Sequence, residues 1–278
     1  MKNIYTYGGQ PAQRHLTVQC LLDNKAAGIR MTQVTAADTV EAAAAAAQNI
    51  DTLTVDSLTV SDIRATAPHI FITAAQTMRQ YVTEDEALGG AIDAMVNGAD
   101  AVYSPRGLDT IERIAREGIS VQAHTGLFPA RATQFGGLRT IGKTADEAFQ
   151  LLQGFKQLEQ AGAYCAEVEC VAEEALTAIK PHTHLLLVTI GAGSSGDIIL
   201  SYMSDLCGDT INPPRHAKAF GNVGAIRKEL NAERSKALQL YRAAVMDKSF
   251  PEATTSVSMP DEELLKLEER LDKLTPAV

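Results

Sequence analysis

The residue best placed by type and surroundings to move a proton is Glu169, which closes the apolar run AYCAEVEC. A carboxylate at the end of an otherwise core strand needs a partner, a metal or a substrate to offset its desolvation, and that position suits a general base. With a two-residue strand period, Cys165 and Glu167 share its face and Cys170 takes the other, so the cysteines read as packing. His124 in ISVQAHTG and the pair Asp56 and Ser57 in DTLTVDS also sit at the ends of β-branched runs. Two glycine motifs invite a nucleotide. Gly137 to Thr144, GLRTIGKT, has the letters of a phosphate-binding loop. The preceding FPARATQF has a proline and no β-branched apolar run, so the strand that would aim the backbone N–H groups is missing. The segment reads as a loop whose Thr144 caps the next helix. Gly191 to Gly196, GAGSSG, matches the dinucleotide fingerprint, following LLLVTI and preceding DIILSYMSDLCG, which reads as a helix. Where a ribose-binding strand should follow, DTINPPRH carries two prolines and cannot be central in a sheet. These glycines fit a tight turn at a barrel mouth, where bare backbone approaches a ligand. His182 and His184 precede a strand and read as surface histidines.

The elements that must position these residues alternate. Strands are expected at 30–36, 51–57, 69–75, around 101–105, and at 119–126, 163–170 and 185–192, with helical stretches between most of them. Asp38 is a plausible cap for the alanine-rich helix after the first strand, Thr83 caps another helix, and Gly98 stops it. Seven such strands, with no Gly-, Ser- or Pro-rich linker among them, favour a closed (β/α)8 TIM barrel over an open doubly wound sheet. The expectation is one domain over residues 1–278: an N-terminal helix, barrel repeats over about 29–210, and closing and tail helices over about 211–278. The acidic, heptad-like tail DEELLKLEERLDKL suggests a docking or oligomer contact. In a barrel of this kind chemistry sits at the C-terminal strand ends, which include Asp56, Ser57, Ala75, Tyr103 to Arg106, His124 and Glu169.

Composition narrows the class. The 278 residues are 45% hydrophobic and 21% charged, ordinary globular usage. A net charge of −9 with no basic block argues against nucleic acid. No apolar run reaches the length of a membrane span, and the N-terminus MKNIYTYGGQPAQRH has no signal-peptide core, so a cytoplasmic protein is expected. Four scattered cysteines, Cys20, Cys165, Cys170 and Cys207, form no disulfide framework.

Several segments together resemble the ketopantoate hydroxymethyltransferase family of the phosphoenolpyruvate mutase and isocitrate lyase superfamily. LTVQCLLDNKAAGIRMTQVTAAD (16–38) is similar to that family's opening segment, TLTVDSL to its V-G-D-S-L strand end, and HTGLFP with GGLRTIGKT to its H-x-G-L-x-P and following glycine stretch. EQAGAYCAEVECV, IGAGSSGD and YRAAVMDKSFP continue the match in the family's order. The resemblance implies an eight-stranded barrel, a divalent metal (magnesium) chelating a 2-keto acid, and transfer of a one-carbon unit from methylenetetrahydrofolate to the enolate. It implies Glu169 as the base, His124 on the keto acid, Asp56 on the metal and Ser57 on the substrate carboxylate. A homo-oligomer is also expected.

The departures fall on the metal side. The family's D-x-P-F acid aligns with Ala75, and its K-x-E-G-G becomes Tyr103-Ser-Pro-Arg106-Gly107, so Asp56 alone is left to offer magnesium a carboxylate. Arg79 and Arg106 stand near the vacated positions and could bind a carboxylate or steady an enolate in the metal's place. The leading reading is an enzyme making or breaking a C–C bond at a keto-acid enolate, by hydroxymethyl transfer or by aldol or retro-aldol cleavage. The alternative is a non-catalytic barrel paralogue serving as a partner subunit or ligand-binding protein.

Overall fold

The computed structural model describes residues 2–274 and divides into two units, one ending at Asn222 and one beginning at Val223. The first unit opens with an antiparallel hairpin, β1 (Lys2–Tyr5) and β2 (Pro11–Arg14), followed by helix α1 (Val18–Ala26). Strands and helices then alternate: β3 (Met31–Thr35), α2 (Thr39–Ala47), β4 (Thr52–Asp56), α3 (Val60–Thr66), β5 (Phe71–Ala75), α4 (Glu84–Val96), β6 (Ala101–Tyr103) and α5 (Leu108–Arg116). They continue through β7 (Val121–Gly126), α6 (Ala145–Gln160), β8 (Cys165–Glu169), α7 (Glu173–Ile179), β9 (Leu186–Ile190), β10 (Ile198–Ser201) and the short α8 (Met203–Leu206). Strands β3 to β10 form a closed, all-parallel barrel in which β10 pairs with both β9 and β3. This is the (β/α)8 barrel expected from the sequence. The second unit consists mainly of α9 (Val223–Met246) and α10 (Asp261–Leu271), so the helical tail also forms as expected.

Local chemistry sets the helix starts. Asp38 accepts from the N–H groups of Val40 and Glu41 at α2, Thr144 from Glu147 at α6, and Thr83 and Glu86 form a reciprocal box at α4. After α4 the chain leaves at Gly98 with φ +105°, a conformation that favours glycine. Three elements differ from the sequence reading. The segment after GAGSSG begins as β10, the eighth strand, where a helix was expected. Its first residues, IILS, are β-branched and short, and closure on both neighbours supplies the ladder that outweighs helical periodicity. The link after Ser57 folds into α3, with Val60 and Ile63 buried. The β1–β2 hairpin was not anticipated.

Side chains alternate across the barrel wall. Outward residues such as Leu53, Val55, Ile72, Val102, Val168 and Leu187 pack with Ile63, Ile111, Ile114, Phe155 and Leu176 of the helices in one buried core. Inward residues in the lower barrel, among them Met31, Phe71, Ala101, Cys165, Leu186 and Ile198, form a second apolar cluster, which Leu21 of α1 joins. At the N-terminal end Asp100 lies between Arg14, at 2.8 Å, and Arg64, at 2.7 Å. The filled lower barrel leaves the polar inward residues near the C-terminal rim.

Candidate active site at the barrel mouth

Strand register brings the central residues together. On β7 and β8, His124 pairs with Glu167 and Gly126 with Glu169, so both carboxylates rise from β8 beside the imidazole. His124 Nε2 lies 2.8 Å from the Leu127 carbonyl and 3.7 Å from Glu169, while Nδ1 lies 3.1 Å from the Tyr103 hydroxyl and 3.5 Å from Glu167. Phe128 packs edge-on against the ring. Gly126 must be glycine here: its φ is +84°, and a Cβ would lie 2.4 Å from the Glu169 carbonyl oxygen. That carbonyl accepts the Leu127 N–H at 2.8 Å, tying the Glu169 backbone to the loop that holds the histidine.

The electrostatics follow from burial and from two acids sharing one ring. Burial raises Glu169 above the ordinary carboxylate value, with Glu167 adding to the rise and His124 opposing it. For His124, burial works against the charged form, but the hydrogen bond and charge of Glu167 outweigh it and the net shift is upward. The Tyr103 phenol is pushed above its usual range by burial and then by Glu167, Tyr202 and Glu169, so it keeps its proton. The same carboxylates and burial raise Tyr202, which follows β10. His124, Glu167 and Glu169 each present one ligand atom, all within 4.8 Å of one another, so this cluster could hold a cation.

The other sequence candidates lie on a different arc of the rim. Asp56, at the end of β4, accepts the Leu58 N–H at 2.9 Å and the Gln80 amide at 3.1 and 3.3 Å. Its register partner on β5 is Ala75. Ser57 is buried, with its hydroxyl 2.9 Å from that of Tyr81. Arg106 donates to the carbonyls of Val82 and Met78 at 3.3 and 3.2 Å, holding the β5–α4 loop that carries Gln80 and Tyr81. Arg79 is exposed on that loop. The structure therefore groups His124 with Glu169, and Asp56 and Ser57 with the loop spanned by Arg106. The sequence reading placed Glu167 on the face of Glu169 without giving it a part in the site. The signal available was its inward register position on the same strand.

Both glycine motifs behave as loops. No strand enters Gly137; a 3-10 segment, Pro129–Phe135, precedes it. The N–H groups of Gly142 and Lys143, which a phosphate would need, go instead to the Glu147 carboxylate. Gly191 turns at φ +65° against the ring of His216. His182 and His184 are exposed below β9, and among the described residues no disulfide joins any of the four cysteines.

The model of the family described as ketopantoate hydroxymethyltransferase matches residues 57–253. The chain belongs to that family. Among its relatives, the 3-methyl-2-oxobutanoate hydroxymethyltransferase of Geobacillus thermodenitrificans is 33% identical over 215 residues, covering 74% of this chain and 73% of the relative. The enzyme of that name from Lysinibacillus sphaericus is 31% identical, covering 90% of this chain and 97% of its own. In fold, this member of the ketopantoate hydroxymethyltransferase family is similar to crystalline 2,3-dimethylmalate lyase of the PEP mutase/isocitrate lyase superfamily. The TM-score is 0.51 at 13% identity, over 92% of this chain and 98% of the other. Among the described residues, no helix is long and apolar enough to cross a membrane.

Proposed function

We propose that this chain enolises a 2-keto acid of the 3-methyl-2-oxobutanoate kind for which its relatives are named, and joins a hydroxymethyl group to the enolate carbon. The observation that carries this reading is the pairing of Glu169 with His124 at the C-terminal mouth of a barrel from this family. Glu169 takes the proton from the carbon beside the keto group, and the C–H electron pair becomes the enolate double bond. Negative charge gathers on the keto oxygen, where His124 and the Tyr103 hydroxyl are the donors offered to it. With methylenetetrahydrofolate and water as co-reactants, both C–N bonds of the donor methylene break, water supplying the oxygen of formaldehyde and its two protons going to the two nitrogens; the enolate carbon attacks the formaldehyde carbon, and the resulting alkoxide takes up the proton that Glu169 removed. Ser57 contacts the substrate carboxylate, and Arg79 and Arg106 are the guanidinium groups available to it.

Magnesium held at Asp56 in the manner of the family does not fit these residues. Both Asp56 oxygens already accept hydrogen bonds, and the adjoining position on β5 is Ala75 rather than a second oxygen ligand. No step is routed through that position.

The test is solvent deuterium exchange at C3 of 3-methyl-2-oxobutanoate, followed by proton NMR, for the unaltered chain and for Glu169→Gln. Exchange by the unaltered chain that falls at least about a hundredfold in the variant is expected for loss of a general base. Equal exchange by both overturns the assignment of Glu169. No exchange by either, with this acid or related ones, moves the protein to the non-catalytic alternative.

A further inference from the structure

Two carboxylates share the upper barrel, and among the described residues neither ion-pairs with a lysine or an arginine. Their ion-pair contacts are to His124, at 3.5 Å for Glu167 and 3.7 Å for Glu169. Glu167 is buried, with its side chain 11% exposed. The hydrogen bond it receives, from Gln122 Nε2, is 3.4 Å long, at the far end of the useful range. A carboxylate taken out of water with partners this distant is short of positive charge.

The ring between the two acids is held as a metal-bound imidazole is held. Its Nε2–H donates to the Leu127 carbonyl at 2.8 Å, which leaves Nδ1, on the side of Glu167, as the nitrogen that a cation would take in place of a proton. The Tyr103 hydroxyl lies 3.1 Å from Nδ1, on the same side of the ring. Gln122 at Oε2 of Glu167, the oxygen not facing His124, supports the acid in the same way.

We propose that Nδ1 of His124 with the carboxylates of Glu167 and Glu169 forms a site for a first-row divalent cation of the manganese or zinc class. The three donor atoms lie within 4.8 Å of one another, and two donors on one such ion stand about 3.0–3.5 Å apart, so small side-chain rotations close the set. One nitrogen and two carboxylates favour these borderline ions over magnesium, which prefers an all-oxygen shell. In the barrel order, β8 lies four strands from β4, so the site is on the far side of the mouth from Asp56. The inference deepens the enolisation reading in one respect: an ion held by His124 and Glu167 would supply at the keto oxygen the positive charge that a His124 N–H otherwise offers, and Glu169 would act as the base when not ligating it. The ion site itself stands or falls on binding alone, whatever the enzyme does with keto acids.

The experiment uses the full chain, stripped with EDTA and dialysed, then titrated with manganese chloride. Free ion is followed by electron paramagnetic resonance, and zinc is titrated in parallel by calorimetry. One equivalent should bind. Glu167→Gln should weaken binding by at least about tenfold, Asp56→Asn should leave it within about twofold, and His184→Ala should have no effect. In the unaltered chain, substoichiometric manganese should broaden the ring resonances of His124 before those of His182 or His184. This readout does not depend on any variant folding. Absence of a bound equivalent overturns the proposal, as does loss of binding in Asp56→Asn or His184→Ala with Glu167→Gln unchanged.

Discussion

Replacing Asp100 by asparagine should show where the stability of the barrel unit is concentrated. The Asp100 carboxylate accepts Nε of Arg14 at 2.8 Å, Nη2 of Arg64 at 2.7 Å and the Ile72 N–H at 2.9 Å. The flanking side chains are only 4% and 13% exposed, so solvent screens the cluster poorly. Burial brings Arg64 down to about 10, with Asp100 opposing that fall and Arg14 adding to it. Asparagine keeps the shape and removes the counter-charge, leaving two buried guanidinium groups facing each other. Removing one partner of a buried pair costs about 3–5 kcal/mol. For a unit of this size each kcal/mol moves the midpoint by about 2–4 °C, so a fall of about 6–20 °C is expected in a thermal melt followed by circular dichroism. Adding Arg64→Met should recover part of the loss, because one of the two uncompensated charges is gone. A change below about 1 kcal/mol in Asp100→Asn, by melting or by urea unfolding, would refute the assignment of this cluster as a principal tie of the closed end.

Two further outcomes follow from the structure. Burial works against ionisation of Glu159, but the Thr183 hydroxyl, Lys156 and the His184 N–H hold it down to about 2, against an ordinary value of 4.5. Its contribution is therefore full above about pH 4.5 and is lost as the pH falls toward about 2, so Glu159→Gln should flatten the acid limb of a urea-stability profile and an unchanged limb counts against it. Gly126→Ala forces a Cβ to within 2.4 Å of the Glu169 carbonyl at a left-handed φ, so it should lower both the melting temperature and keto-acid exchange; normal exchange would show that the base does not depend on this backbone contact.

Much of the barrel was legible because its strands are β-branched runs ended by polar residues and followed by capped helices, as with Asp38 and Thr83. The eighth strand was not, because Ile198–Ser201 is four residues long and runs almost directly into a helical turn, so no local period separates it from a helix. Within the site, Glu169 was visible as a carboxylate ending a largely apolar strand. Glu167 gained its meaning from the register that sets it beside His124, 43 positions earlier in sequence, and pairings at that distance leave no local pattern. Tyr81 and Gln80 reach Ser57 and Asp56 because a loop folds back under the hold of Arg106, which is equally a tertiary fact.

The closure of β10 onto β3 makes the rim a ring rather than a row. Along an open sheet, a ligand bound at one edge is far from the other, and moving a ligating group between strands means moving the ligand. Around a ring, every strand end faces the same axis. A molecule lying on that axis can exchange a partner on the β4–β5 arc for one on the β7–β8 arc through substitutions at the strand tips alone, without the chain changing its path. Alanine at position 75 ends β5 and glutamate at position 167 faces inward two residues before the end of β8, so the fold can lose a ligand on one side and gain one on the other while its packed lower half stays the same.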